Sequence, residues 1–366
     1  MKNHKKKANF ILILLITMFI FLGTGLQIFT EAPSISYQER RTLEPFPKFT
    51  IKSLLSTEFM KDLEVHLADS FPFRDFLQRM NIRFSSGLFL KKDFDGYYSA
   101  EGHLSKMLYP LEKDQVLLGA EKISEIQKRY LTDMDVYYGV IPDKNYFLAE
   151  NTPYLSMNYQ AFLDILDSRL SELVKIDLFS ALELEDYYRT DPHWKQESLE
   201  DVLKILGEKM DFKASEVKFN THTKMEFYGS YHPHVSADLS MDSLNYLTSD
   251  AIVHSHVHTL DSGKTGEVYD SEADLTMDPY NFFLGGPAAI QIIENPMGNT
   301  EKELILFRDS FGSSLAPLLM NHYDRITLID LRYVPFEQLE NHISFDDQDV
   351  LFLYSTEILN RSAMLR

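Results

Sequence analysis

A chain of 366 residues can bury a large core, and 44% apolar with 13% aromatic residues excludes wholesale disorder. A formal net charge of −19 argues against nucleic acid, whose phosphates would be repelled by such a surface. There is no cysteine, which excludes disulfides, thiolate nucleophiles, cysteine-based zinc sites and a lipidated N-terminal cysteine.

Lys2, Lys5, Lys6 and Lys7 precede an uncharged stretch from Ala8 to Thr30. As a helix, that stretch reaches about 34 Å, enough to cross a hydrocarbon core of about 30 Å. Lysines held in the cytoplasm place everything after Thr30 outside. A cleaved signal peptide is the alternative, with Phe10 to Leu22 as its apolar region and small residues at Gly23 to Gly25. Apolar residues resume at Leu26, Ile28 and Phe29, which favours an uncleaved anchor over residues 1–30. The expected location is the cell membrane, crossed once, with the C-terminal domain extracytoplasmic.

Residues 31–55, with Pro33, Pro45 and Pro47, read as an extended spacer. From Thr57 the pattern is helical, leading into "DSFPFRDFLQRM" at 69–80. Continuous β-rich runs follow at Val136–Ile141, Leu304–Phe307, Ile326–Leu331 and Val350–Tyr354, as suits strands buried on both faces. They alternate with predicted helices at Ser198–Met210 and Leu315–His322, which predicts an α/β sandwich with a mainly parallel sheet. Residues 213–285 break the rhythm and hold six of the twelve histidines, so they read as a loop-rich insertion.

Two segments carry candidate chemistry. In "LILFRDSFGSSLAPLL" (304–319) a buried strand turns through Arg308, Asp309 and Ser310 into a helix. A serine there sits at the C-terminal edge of the sheet, with helix-N-terminal amides near a developing oxyanion. The alternative is that Ser310, Ser313 and Ser314 are merely turn and N-cap residues, which on spacing alone is the commoner case. In "YYRTDPHW" (187–194), Asp191 and His193 can face the same way if Pro192 keeps the link extended. A serine needs such a base, and the base needs a carboxylate to fix its tautomer. A capped turn with a surface histidine is the alternative.

Together these motifs resemble the DHHW family of bacterial exported proteins, relatives of the SGNH-like alginate O-acetylation proteins. The resemblance runs from about residue 57 to the C-terminus. It rests on "DSFPFRDFL" (69–77), "VIPDKNYF" (140–147), "YYRTDPHW", "DPYNFFLGG" (278–286), "RDSFGSSLAPLL" (308–319) and "HYDRITLIDLRY" (322–333). It implies one SGNH-hydrolase-like three-layer sandwich over 56–366, with permuted motif order because Asp191 and His193 precede Ser310. It also implies that Ser310 is the nucleophile, His193 the general base and Asp191 its orienting partner. Pro192 stands where the family name has histidine, and Arg308 where the SGNH block has glycine. Arg308 could set a positive charge beside the acyl oxyanion. The activity implied is O-acetyl transfer to, or hydrolysis from, a cell-surface polysaccharide, beside a membrane-bound O-acyltransferase partner and without metal or cofactor. The rival reading is a non-catalytic carbohydrate-binding or scaffold component of a surface-polysaccharide assembly.

Other features are weaker. His254, His256 and His258 would share one face of a strand, where a row of imidazoles could bind zinc or simply be exposed. Gly285 and Gly286 could lend an amide to an oxyanion hole or form a turn. Lys144 could line the cleft or lie on a surface loop. Tyr97–Tyr98 and Tyr137–Tyr138 could stack on sugars, though core packing is the simpler reading.

Overall fold

The computed structural model describes residues 2–29, 34–36, 41–48, 57–74, 76–77, 80, 93–235 and 239–366. Much of the spacer expected at 31–55 lies outside the described residues, as do residues 75, 78 and 79 of the 69–80 motif. The chain divides into two compact units, Met1–Lys92 and Asp93–Arg366.

The first unit holds α1 (Lys2–Phe29), a short antiparallel pair β1 (Ile35–Ser36) and β2 (Arg41–Thr42), and α2 (Glu58–Asp69). Within α1, Asn9–Gln27 is long and apolar enough to cross a membrane, with a mean hydropathy of 2.3. α2 starts directly after Thr57, where the helical pattern begins.

The second unit opens with an antiparallel sheet of β3 (Asp93–Phe94), β4 (Tyr97–Ala100) and β5 (His103–Lys106). Next come α3 (Lys113–Tyr130), β6 (Val136–Ile141), α4 (Lys144–Ala149), α5 (Tyr159–Arg169), β7 (Val174–Ile176) and α6 (Glu200–Met210). A hairpin of β8 (Asn220–Phe227) and β9 (Asp242–Thr248) leads to α7 (Asp250–His254), β10 (His256–Thr259) and β11 (Lys264–Glu267). The chain ends with β12 (Ile290–Glu294), β13 (Glu303–Arg308), α8 (Gly312–Leu319), β14 (Arg325–Ile329), β15 (Asp349–Ser355) and α9 (Thr356–Leu359).

The main sheet has the order β11-β10-β12-β14-β13-β15-β6-β7. Its last five strands are parallel, and β12, β10 and β11 extend it with antiparallel pairings. Alternate residues of each strand feed two separate cores, as a period of two requires. Leu304, Leu306, Ile326, Leu328, Leu351 and Leu353 pack with Val202, Leu206, Leu315 and Leu319 of α6 and α8. Ile305, Phe307, Ile329, Val350 and Phe352 pack with Val116, Ile123, Phe162 and Leu166 of α3 and α5. Each such side chain, fully buried, contributes about 1.5–3 kcal/mol relative to exposure. The result is a three-layer α/β/α sandwich.

β6, β13 and β15 are mutually parallel neighbours, so their C-terminal ends share one sheet edge. That edge gathers Asp143 and Lys144, Ser310, and Thr356. The sequence does not show two features of the region read as a loop-rich insertion. It contributes β10 and β11 to the main sheet, and its histidine row is broken. His254 ends α7 and binds the Asp250 carbonyl, while only His256 and His258 lie in a strand. Among the described residues no group of histidine and acidic side chains is placed to hold a metal ion.

Candidate active site

The 187–194 segment folds back on itself. Tyr187 and Trp194 pair as an antiparallel bridge, and the Tyr188 N–H donates to the His193 carbonyl at 3.0 Å. The residues between them form a loop with Asp191 and His193 on it. Trp194 is fully buried, and its Nε1–H donates to the Ser314 hydroxyl at 2.9 Å and the Phe311 carbonyl at 3.2 Å. The only tryptophan therefore docks the histidine loop onto the turn that carries Ser310.

The two candidate segments meet there. His193 Nε2 lies 2.8 Å from Ser310 Oγ, and Nδ1 lies 2.6 Å from Asp191 Oδ1. The other Asp191 oxygen accepts the Ser230 N–H at 2.9 Å. A carboxylate can only accept, so Nδ1 carries the imidazole proton and Nε2 is left to accept from the serine hydroxyl. Of the three serines in the block, Ser310 alone faces the histidine. Ser314 is fully buried and bonded to Trp194 and Tyr280, and Ser313 lies within α8.

The loop is held from behind. Asp242 is buried and accepts the N–H groups of Arg189 at 2.7 Å and Thr190 at 2.8 Å, together with the Thr190 hydroxyl. Thr190 Oγ1 in turn accepts the Gly229 N–H at 2.7 Å. Gly229 passes so close to Thr190 and Asp191 that a Cβ there would overlap both. Gln196 adds a clamp between α8 and β9, donating to the Ser314 carbonyl at 2.6 Å and accepting the Leu247 N–H at 2.8 Å.

Tyr280 is a site residue the sequence reading did not single out, although "DPYNFFLGG" was visible. Its ring stacks on the His193 imidazole, and its hydroxyl donates to Ser314 Oγ at 2.7 Å. Burial holds its phenol well above the ordinary value, so it stays a donor.

The turn at Ser310 uses most of its amides internally. Phe311 N–H donates to Asp309 Oδ1, Gly312 N–H to the Asp309 carbonyl and Ser313 N–H to the Ser310 carbonyl. Among the described residues the Ser310 N–H has no protein acceptor. Asp309 also accepts the Ser355 N–H at 2.7 Å, tying the turn to the end of β15.

The remaining candidates lie elsewhere. Arg308 is buried and points its guanidinium to Gln291 Oε1 at 2.8 Å and Asp330 at 3.8 Å, not to Ser310. Gly285 and Gly286, both with positive φ, line a cleft with Asp270, Lys264 and Gln291 whose lining includes neither Ser310 nor His193. The Gly286 N–H closes a turn on the Phe283 carbonyl. Lys144 is neither in an open cleft nor on the surface. It is buried beneath the Asp191 loop and donates to the Tyr188 and Arg189 carbonyls.

The mainly parallel three-layer sandwich, with these residues at one sheet edge and aspartate and histidine preceding serine in the chain, is the SGNH-hydrolase-like fold expected from the sequence. Known structures share this fold. A DHHW family protein from Eubacterium siraeum superposes with a TM-score of 0.56 at 20% identity, covering 74% of this chain and 94% of its own. Bacillus cereus PatB1, solved with a sulfonyl adduct, gives 0.54 at 17% identity, covering 72% of this chain and 95% of its own. No protein-family model matches the chain, and no curated protein sequence matches it.

Proposed function

We propose that this protein is a membrane-anchored, extracytoplasmic enzyme that moves or removes O-acetyl groups on a cell-surface polysaccharide through an acyl-serine. The observation that carries this reading is the His193 ring, bridging Asp191 at 2.6 Å and Ser310 at 2.8 Å. In the proposed cycle Ser310 Oγ attacks the acyl carbonyl carbon while its proton passes to His193 Nε2. Asp191 stabilises the imidazolium that forms. The Ser310 N–H is the amide available to the oxyanion. Collapse expels the alcohol, which takes the proton from His193 and leaves an acyl ester on Ser310. A sugar hydroxyl or water, deprotonated by His193, then attacks that ester and frees the serine.

The shared fold of PatB1, seen with a sulfonyl adduct, supports testing Ser310 with a sulfonyl electrophile. The resemblance to alginate O-acetylation proteins supports a membrane-bound O-acyltransferase as the partner that delivers acyl groups. The apolar helix preceded by lysines supports an anchor with the second unit outside the cytoplasm. The reading is tested with a small activated acetyl ester, whose leaving group should appear in a burst followed by slower turnover. Absence of any Ser310-dependent release, together with glycan binding unchanged in Ser310→Ala, would overturn it in favour of a scaffold.

A further inference from the structure

Lys144 follows β6 at the sheet edge and is 2% exposed. Among the described residues its ammonium forms no ion pair, an uncommon state for a buried lysine. Its contacts are the Tyr188 carbonyl at 2.9 Å, the Arg189 carbonyl at 3.3 Å and the face of the Tyr231 ring at 5.1 Å. Both carbonyls belong to the loop that carries Asp191 and His193. The backbone beside Tyr231 closes on the same loop, with Tyr231 N–H on the Thr190 carbonyl and Ser230 N–H on the Asp191 carboxylate. The lysine therefore joins the end of a central strand to both segments that enclose Asp191.

We propose that Lys144 is a positioning residue of the Ser310 site, whose ammonium clamps the Tyr188–Arg189 backbone and holds Asp191 and His193 in register with the serine. The proposal rests on the reading of Ser310, His193 and Asp191 given above. The groups facing the ammonium are the carboxylates of Asp191 and Asp242, which favour its charge, the His103 imidazole and the Tyr231 ring. Burial nevertheless pulls it down to about 7 from 10.5. The clamp is thus charged below neutrality and loses its charge as pH rises through about 7, which makes the site sensitive to alkali.

The test uses the full-length chain with Lys144→Met and Lys144→Arg, an activated acetyl ester, and the proton NMR signal of the His193 Nδ1–H. Asp191→Asn, which replaces the acceptor carboxylate, assigns that signal by removing or shifting it. In the wild type kcat/KM should fall above about pH 7. Lys144→Met should lower kcat/KM about 100-fold, the cost of a small misplacement of reacting groups, and abolish the alkaline fall. Lys144→Arg keeps a permanent charge and should retain activity with the alkaline fall removed. A Met variant with wild-type rate and profile, or an Arg variant with the alkaline fall unchanged, overturns the proposal. A rate loss with an unaltered profile shape assigns Lys144 a purely structural role and overturns it as well. If the wild type shows no Ser310-dependent ester activity, the acyl-transfer reading fails. The Nδ1–H signal, moved by Lys144→Met and retained by Lys144→Arg, then decides the clamp alone.

Discussion

The Tyr280 ring lies flat on the His193 imidazole, centroids 3.8 Å apart and planes 9° from parallel. With Phe311 tilted against the same ring at 4.9 Å, it fixes the imidazole plane so that one nitrogen meets Asp191 and the other Ser310. Tyr280→Phe keeps the stack and removes only the bond to Ser314, so it should cost about 1 kcal/mol of stability and little activity. Tyr280→Ala should cost about 3–5 kcal/mol and lower ester turnover well beyond the Phe variant. Thermal melting and steady-state rates on the same preparations separate the two effects.

Ser310→Ala should abolish both the burst and the turnover of an activated acetyl ester, because no acyl-enzyme can form. His193→Ala should lose most of the rate. Asp191→Asn should remain folded yet fall by up to about 10⁴-fold in kcat, the scale seen when a triad carboxylate no longer fixes the tautomer. An Asp191→Asn enzyme at wild-type rate would show that the carboxylate has no catalytic part.

Gly229→Ala places a methyl group where Thr190 and Asp191 already are. The loop must shift, and the Ser230 N–H bond to Asp191 shifts with it. A loss of kcat of about 100-fold is expected from a displacement near 1 Å. Gly96→Ala is the control. A Cβ there meets open space, so its only cost is the positive φ at a turn outside the site.

Asp143 gives stability a specific pH dependence. Its carboxyl, bonded to Thr356 and Tyr159, is pushed by burial from 3.8 to about 6. The folded state therefore binds this proton more tightly than the unfolded chain does. The stability it contributes is full below about pH 4 and is lost as pH rises through 6. Asp143→Asn removes that dependence and keeps a side chain able to cap α4. The wild type should lose up to about 3 kcal/mol relative to the variant between pH 4 and pH 7, measured by chemical denaturation. His322, pulled down to about 4 chiefly by burial, slopes the opposite way over the same range. Only the difference between the two proteins isolates Asp143, and a difference independent of pH would refute the assignment.

If α1 is an uncleaved anchor, the full chain should sediment with membranes and a chain lacking residues 1–30 should not. An exported form whose N-terminus is found near Leu26 would point to a cleaved signal instead.

Local sequence was enough wherever the physics is local. Runs such as "VYYGVI" and "VLFLY" announced strands because a strand covered on both faces has no polar position to interrupt it. Asp191 and His193 were legible as a pair because two residues of one loop need no further folding to be neighbours. The two strands at one margin of the sheet were not legible. β10 and β11 carry His256, His258, Lys264 and Glu267. Such strands are covered on fewer sides, so no apolar run marks them, and the region read as a loop.

What only the tertiary structure decided is direction and partnership. Ser310 and His193 are 117 positions apart, and the serine among Ser310, Ser313 and Ser314 that meets the base is set by how the turn after β13 packs under Trp194. Arg308, adjacent to that turn, faces Asp330 and Gln291 because β14 and then β12 lie beside β13 in the sheet, so its side chain reaches sideways across them. Lys144, readable as a cleft or a surface-loop lysine, is buried because β6 and the Asp191 loop end at the same sheet edge. A sequence lists which groups exist and which are neighbours along the chain. Which groups share a low-dielectric site is fixed only when parallel strands bring their C-terminal ends together.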